Sequence, residues 1–215
     1  MKIISFYQIC IKDIMSYRLL CILGELSLFS DVRIKLKKKN KILFSHDSKC
    51  LQKLIVLMES QNHRTLAMWA LDCAKLPLQQ FELKYPHEHR PRICLKACES
   101  WARGKIKMPE AKRTILDSHA VAKEIDDAVY GALCHAIGHA GATVHVKTHA
   151  LGLPIYELTA LVLKYGQDDF PIPISEKINY YHSRLQNWQD NIDKYKFKWA
   201  DFLLKNNSSN KRIIK

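Results

Sequence analysis

Between Ala128 and Tyr156 the chain carries one formally charged residue, Lys147, among glycines, alanines, aliphatics and four histidines. A stretch so poor in charge is suited to a site covered by protein on nearly every side. Read as one helix over roughly residues 127–150, it places His135, His139, His145 and His149 within an arc of about 120°. Gly131, Gly138 and Ala142 share that arc, while Leu133, Ile137 and Val144 fall opposite. The pattern predicts the central helix of a bundle. Gly131 and Gly138 let a neighbour approach closely, at a cost of about 1 kcal/mol each relative to alanine.

The flanking sequence is punctuated for helices throughout. "SKCLQKLIVLMES" puts Leu51, Leu54, Ile55 and Met58 on one broad face, and Asn62 is placed to cap "HRTLAMWALDCA". Pro77 is expected to kink or restart that helix, Pro91 to open "RICLKACESWAR", Gly104 to close it, and Pro109 to open the next. No strand-period run or hairpin dipeptide intervenes. The fold class predicted is all-α: a single helical bundle of about six or seven helices with a central Gly/Ala/His-rich helix. We divide the chain into a basic N-terminal extension over 1–40, with some helix near 12–28, a helical domain over 41–205, and a frayed tail over 206–215. A start codon further in would leave residues 1–36 outside the natural polypeptide.

The net charge of +13 raises the question of nucleic acid. Residues 1–49 hold ten Lys/Arg against four Asp/Glu and residues 171–215 nine against four, whereas 50–170 hold fifteen against thirteen. The excess sits on the flanks, which suits weak nucleic-acid affinity there and not a dedicated basic face. Seven scattered cysteines include no C-x-x-C and indicate neither a disulfide framework nor a zinc finger; they point to a reducing cytoplasm. Cys94 and Cys98, one turn apart, read as small buried hydrophobes. "LLCILG" is too short to span a membrane, so no membrane partner is expected.

The histidines admit three chemistries. As metal ligands, His139, His145 and His149 are the candidates. Neither His-x3-His pair contains the Glu of H-E-x-x-H, and the outer histidines of a continuous helix stand about 21 Å apart. As a general base, one histidine needs an orienting carboxylate, and no nucleophile elbow, P-loop or dinucleotide fingerprint accompanies it. As structural groups, they join a buried polar network with partners such as His119, Asp72, Arg90 and Arg92. We adopt the third reading, with no cofactor and no catalytic residue. The alternative is a helical metal-binding protein or metal-dependent hydrolase using a divalent metal at the histidine cluster. Arg90 and Arg92 in "EHRPR" are read as partners of carboxylates on neighbouring helices, the alternative being an anion site. Trp69 and Trp101 are assigned to the core, and Tyr180, Tyr181 and Trp188 to a half-buried face.

Taken in order, "HRTLAMWALDCA", "HRPR", "ESWARGKIKMPEAKR", "SHAVAKE" and "GHAGATVHVKTHALGLPIYELTA" resemble a bacterial helical family of immunity proteins, the immunity-five-like proteins associated with polymorphic toxin systems. The resemblance covers roughly residues 40–205 and matches at Trp69, Asp72, Arg90, Pro91, Arg92, Trp101, Gly104, His119, His139, His145 and His149. His135 departs from the family pattern, which tells against a paired 135/139 ligand site. The resemblance implies an all-α fold and the binding of a cognate toxin, or of the toxin's target site, so that the producing cell survives; with no catalytic set in the sequence, a non-enzymatic role is expected. The family's chemistry at these positions is not defined, and neither the toxin nor an oligomeric state is implied.

Overall fold

The computed structural model describes residues 27–196 and 198–204. The expected helix near 12–28 lies almost wholly outside them, and so does the expected tail. Among the described residues there is no strand, and nine α-helices of eight or more residues run in the order α1 (Ser30–Lys37), α2 (Gln52–Glu59), α3 (His63–Cys73), α4 (Lys75–Lys84), α5 (Arg90–Ala102), α6 (Met108–Glu124), α7 (Ala128–Ala142), α8 (Gly152–Asp169) and α9 (Pro171–Asn191). A last short helix, α10, spans Asp201–Leu204, and 3-10 segments occupy Lys49–Leu51, Lys147–Leu151 and Ile192–Lys194. None of these helices is long and apolar enough to cross a membrane.

The local signals act as their chemistry dictates. The Asn62 side chain accepts the Thr65 N–H at 2.8 Å, capping α3. Pro77 sits in the first turn of α4, where a missing N–H costs nothing, so the chain restarts after Ala74. Gly104, at φ +69°, ends α5 in the left-handed region, and its N–H bonds the Trp101 carbonyl at 2.8 Å. The helix count exceeds six or seven for two reasons: this break makes α4 separate, and α1 lies where an extension was expected.

Part of the segment read as a basic extension packs against the helices that follow. Phe29 and Val32 are fully buried in the main core. Phe29 meets Phe170 edge to face at 5.6 Å, and the Leu43 N–H donates to Thr159 Oγ1 on α8 at 3.1 Å. The basic cluster starts on this packed helix and runs past its end at Lys37.

Helix α7 is the centre of the bundle, packed against α3, α4, α5, α6 and α8, with ten of its fifteen residues buried. Asp127 caps it by accepting the Val129 and Tyr130 N–H groups. It ends at Ala142, not near 150. Thr143 Oγ1 donates back to the His139 carbonyl at 3.0 Å, the backbone bonds tighten to i→i+3, and Val146 is extended at φ −137°, ψ 120°. The chain then doubles back through Lys147–Leu151 into α8. Gly141 leaves room for the two buried thiols of α5: a Cβ built there falls 2.8 Å from Cys98 Sγ and 3.1 Å from Cys94 Sγ.

Trp69 and Tyr181 are fully buried where α3 crosses α9, and the indole N–H donates to the Tyr181 carbonyl at 3.0 Å. Beside them lies an acid that the sequence reading missed. Glu157 on α8 is 2% exposed, 2.5 Å from Lys177 Nζ, and accepts the Tyr181 hydroxyl on its other oxygen. Burial raises its pKa against the pull of Lys177 and Tyr181. This ion pair fastens α8 to α9.

Candidate functional site

The residues singled out from sequence separate into three places. The first is a cluster of rings where α6, α7 and α8 meet. His119 Nδ1 and His135 Nδ1 are 2.9 Å apart, so one ring donates and the other accepts, and the two take opposite tautomers. His119 also meets His139 edge to face at 5.2 Å, Tyr156 stacks on His139 at 5.0 Å and 18°, and His149 lies 5.6 Å from His139. His135, set aside because it departs from the family pattern, is thus the nearest partner of His119. Its place on the arc beside His139 was the available signal.

The end of α7 at Ala142 overturns the continuous wheel. His149 reaches His139 because the 3-10 segment folds back, not because the two share a helix face. His145 leaves the group: it is exposed and lies 5.8 Å from the Trp101 ring. His139, His145 and His149 therefore do not converge as a ligand set. Among the described residues no three His, Cys, Asp or Glu side chains are placed to hold one metal ion.

Burial, followed by repulsion among the imidazoles, lowers the pKa of His119 and of His139 to about 4. His135 and His149 are also lowered, with burial the first cause. Near neutral pH all four rings are therefore uncharged. Among the described residues no carboxylate bonds any of them, so the orienting partner of a general base is missing, and His139 Nδ1 is buried with no hydrogen-bond partner. Of the partners named from sequence, only His119 joins the cluster.

Two glycines make the room. A Cβ on Gly138 would lie 2.6–3.0 Å from the His119 ring, and one on Gly152 would lie 2.4–2.7 Å from His139 Cγ, Nδ1 and Cβ. The His119 ring is the far end of its side chain and can swing, whereas His139 Cβ is fixed to the helix backbone. Gly152→Ala is therefore expected to destabilise by about 2–3 kcal/mol, and Gly138→Ala by about 1 kcal/mol or less, since alanine recovers helix propensity. Urea unfolding of the two variants checks this ordering, and the reverse order would refute the packing argument.

Arg90 forms the second place. It pairs with Glu88 at 2.6 Å and with Glu124 of α6, and both carboxyls are held below their usual range, chiefly by that hydrogen bonding. This is the inter-helix pairing expected of the "EHRPR" segment.

The third place is a surface cleft of ≈ 500 Å³ that brings Asp72 and Arg92 together. Asp72 accepts from Arg184 Nε at 3.0 Å, Trp188 Nε1 at 3.1 Å and Lys75 Nζ at 3.3 Å. Burial pushes its carboxyl pKa up, but these three donors outweigh burial and hold it below the usual value. Arg92 is gripped by Glu82 through Nε and Nη2. Arg184 had not been singled out from sequence. Its spacing from Tyr181 and Trp188 on one amphipathic helix was the only hint.

No curated protein and no solved structure matches the chain significantly. A family model described as "Imm-5 like putative immunity protein" matches residues 56–184, a narrower span than the 40–205 of the sequence resemblance. That span runs from α2 through most of α9 and contains the histidine cluster, Trp69, Asp72, Arg90, Arg92 and Arg184. More than half of the chain lies inside it, and the chain belongs to this family of immunity proteins.

Proposed function

We propose that the chain acts by binding: it holds a cognate toxin in a complex without catalytic turnover, in the cytoplasm, and so protects the cell that makes it. The family match over residues 56–184 carries this reading. Two observations support its non-enzymatic character. Among the described residues His119 and His135 bond each other and no carboxylate bonds the ring cluster, and Asp72 is committed to three donors within its own fold. The described cysteines are free thiols, which suits a reducing compartment. The chain is strongly basic, so electrostatic complementarity favours an acidic surface on the toxin.

Co-expression with the toxin gene encoded beside this one tests the proposal. The expected result is survival of the host together with co-elution of the two proteins as one complex. Neither rescue nor complex, across the toxin genes neighbouring this one, would refute it.

A further inference from the structure

Residues 50–170 hold nearly equal numbers of acids and bases, yet four of their cations meet in one cleft, where Arg184 joins them from beyond that span. Lys75, Arg92, Lys96, Arg103 and Arg184 line the ≈ 500 Å³ cleft, against the two carboxylates of Asp72 and Glu99. Three helices, α4, α5 and α9, supply these cations, with Arg103 just past the end of α5. Counting Glu82, which pairs with Arg92, five cations face three carboxylates there, an excess assembled by the fold.

Its cations are held ready in position. Asp72, with 15% of its side chain exposed, fixes Arg184 and the Trp188 indole from below. Glu82 engages Nε and Nη2 of Arg92, so Nη1 of that guanidinium has no hydrogen-bond partner among the described residues. Lys96 has no ion-pair partner among them either. A guanidinium gripped on one edge loses little conformational freedom when its remaining N–H groups meet a carboxylate.

Apart from Gln79, the rest of the wall is formed by apolar and aromatic side chains. Met68, Leu71 and Leu95 line it, and Trp188 stacks on Tyr195 with ring centroids 4.7 Å apart at 28°. Aromatic surface beside fixed arginines is the composition of binding anchors. The two carboxylates and the apolar wall suit an evenly spaced phosphate backbone poorly. The chain's own C-terminal residues 205–215 carry four Lys/Arg and no Asp/Glu, so their sign is wrong for this cleft.

We infer that this cleft receives an acidic segment of a protein partner, its carboxylates meeting Arg92, Lys96 and Arg184 and an apolar side chain lying against Tyr195, the exposed ring that covers Trp188. The inference rests on the binding function proposed above and assigns that function a surface. The histidine cluster, by contrast, serves the fold.

Fluorescence anisotropy of the full chain with a labelled peptide of alternating glutamates and tryptophans tests it. The controls are the glutamine counterpart of that peptide and a labelled single-stranded oligonucleotide. The expected result is binding of the acidic peptide alone, weakened about tenfold by the double variant Arg92→Gln/Lys96→Gln and less than about twofold by the equally charge-reducing Lys37→Gln/Lys38→Gln at the end of α1. Unchanged thermal melting of both variants keeps folding out of the comparison. No binding of the acidic peptide, or equal losses in the two variants, overturns the inference. So does tighter binding of the oligonucleotide that depends on Arg92 and Lys96, which makes the cleft a nucleic-acid site.

Rescue from the toxin separates this inference from the function beneath it. If the wild type rescues and Arg92→Gln/Lys96→Gln does not, both stand. If both proteins rescue, the cleft inference fails and the immunity function stands. If neither rescues but the acidic peptide still requires Arg92 and Lys96, the function fails and the cleft stands.

Discussion

Glu157→Ala is expected to destabilise the chain by about 3–5 kcal/mol, because it leaves the Lys177 ammonium and the Tyr181 hydroxyl without their shared acceptor. Lys177 has 12% of its side chain exposed and Tyr181 has none, so water cannot readily replace the lost carboxylate. For a chain of this size the melting temperature should fall by about 6–20 °C. Lys177→Met should also destabilise, by leaving Glu157 buried without its cation, so that its carboxyl must take up a proton. The double variant Glu157→Leu/Lys177→Met should recover most of the loss, since it removes both charges together. Thermal and urea melts of the two singles and the double close a mutant cycle. A double variant no more stable than the worse single would show that the pair is held by something other than mutual neutralisation.

The second large effect is a pH dependence set by the ring cluster. His119 and His139 ionise near 4 in the folded chain against an ordinary value of 6.5, so between those limits the unfolded chain binds more protons than the folded one. Their contribution is complete above pH 6.5 and is lost as pH falls towards 4. After allowance for their partly hydrated rings, the loss is about 2 kcal/mol apiece across that window. His63 adds to the loss, since burial also lowers its pKa while its Nε2 lies 2.7 Å from the Thr143 carbonyl oxygen. Below this window Asp72, Glu88 and Glu124 take over, because their depressed carboxyls withdraw stability as they protonate. The melting temperature should therefore drop steadily from about pH 6.5 to about pH 4. His119→Gln, which removes one titrating ring from the crowd, should flatten the upper part of that slope. An unaltered slope in His119→Gln would place the pH dependence elsewhere.

Much of the architecture could be read from residues whose effect is local. Asn62, Pro77, Pro91 and Gly104 set helix ends through their own backbone chemistry, and each does so in the structure. The lack of charge between Ala128 and Tyr156 placed the central helix correctly because desolvation depends only on what a segment contains. The end of α7 was not legible. No Gly or Pro breaker follows Ala142, and the stop arises from β-branched Thr143, Val144 and Val146 together with a side chain bonding its own helix. The packing of α1 was not legible from its lysines and arginines, because Val32 and Phe29 just ahead of the helix carry its buried contacts.

The site was legible in its parts and not in its grouping. A wheel orders residues on one helix, but His119 and His135 stand on different helices, and only their packing brings the two Nδ1 atoms to 2.9 Å. Asp72, Arg90 and Arg92 were named together, yet Arg90 faces α6 whereas Asp72 and Arg92 share the cleft. Glu157 did leave a trace: it is the one acid in the apolar run "LPIYELTALVL", the mark of a carboxylate carried indoors with a partner.

Helix α9 turns Tyr181 into the core and Arg184 and Trp188 into the cleft within two turns. Whatever occupies the cleft therefore leans on the same stretch of backbone that the buried acid secures from behind. Opening α9 by local fluctuation would release both at once, so occupancy of the cleft should slow amide exchange along α9 and at the end of α3, far more than at α6. The outer surface and the deep interior of the protein are, at this helix, one cooperative unit.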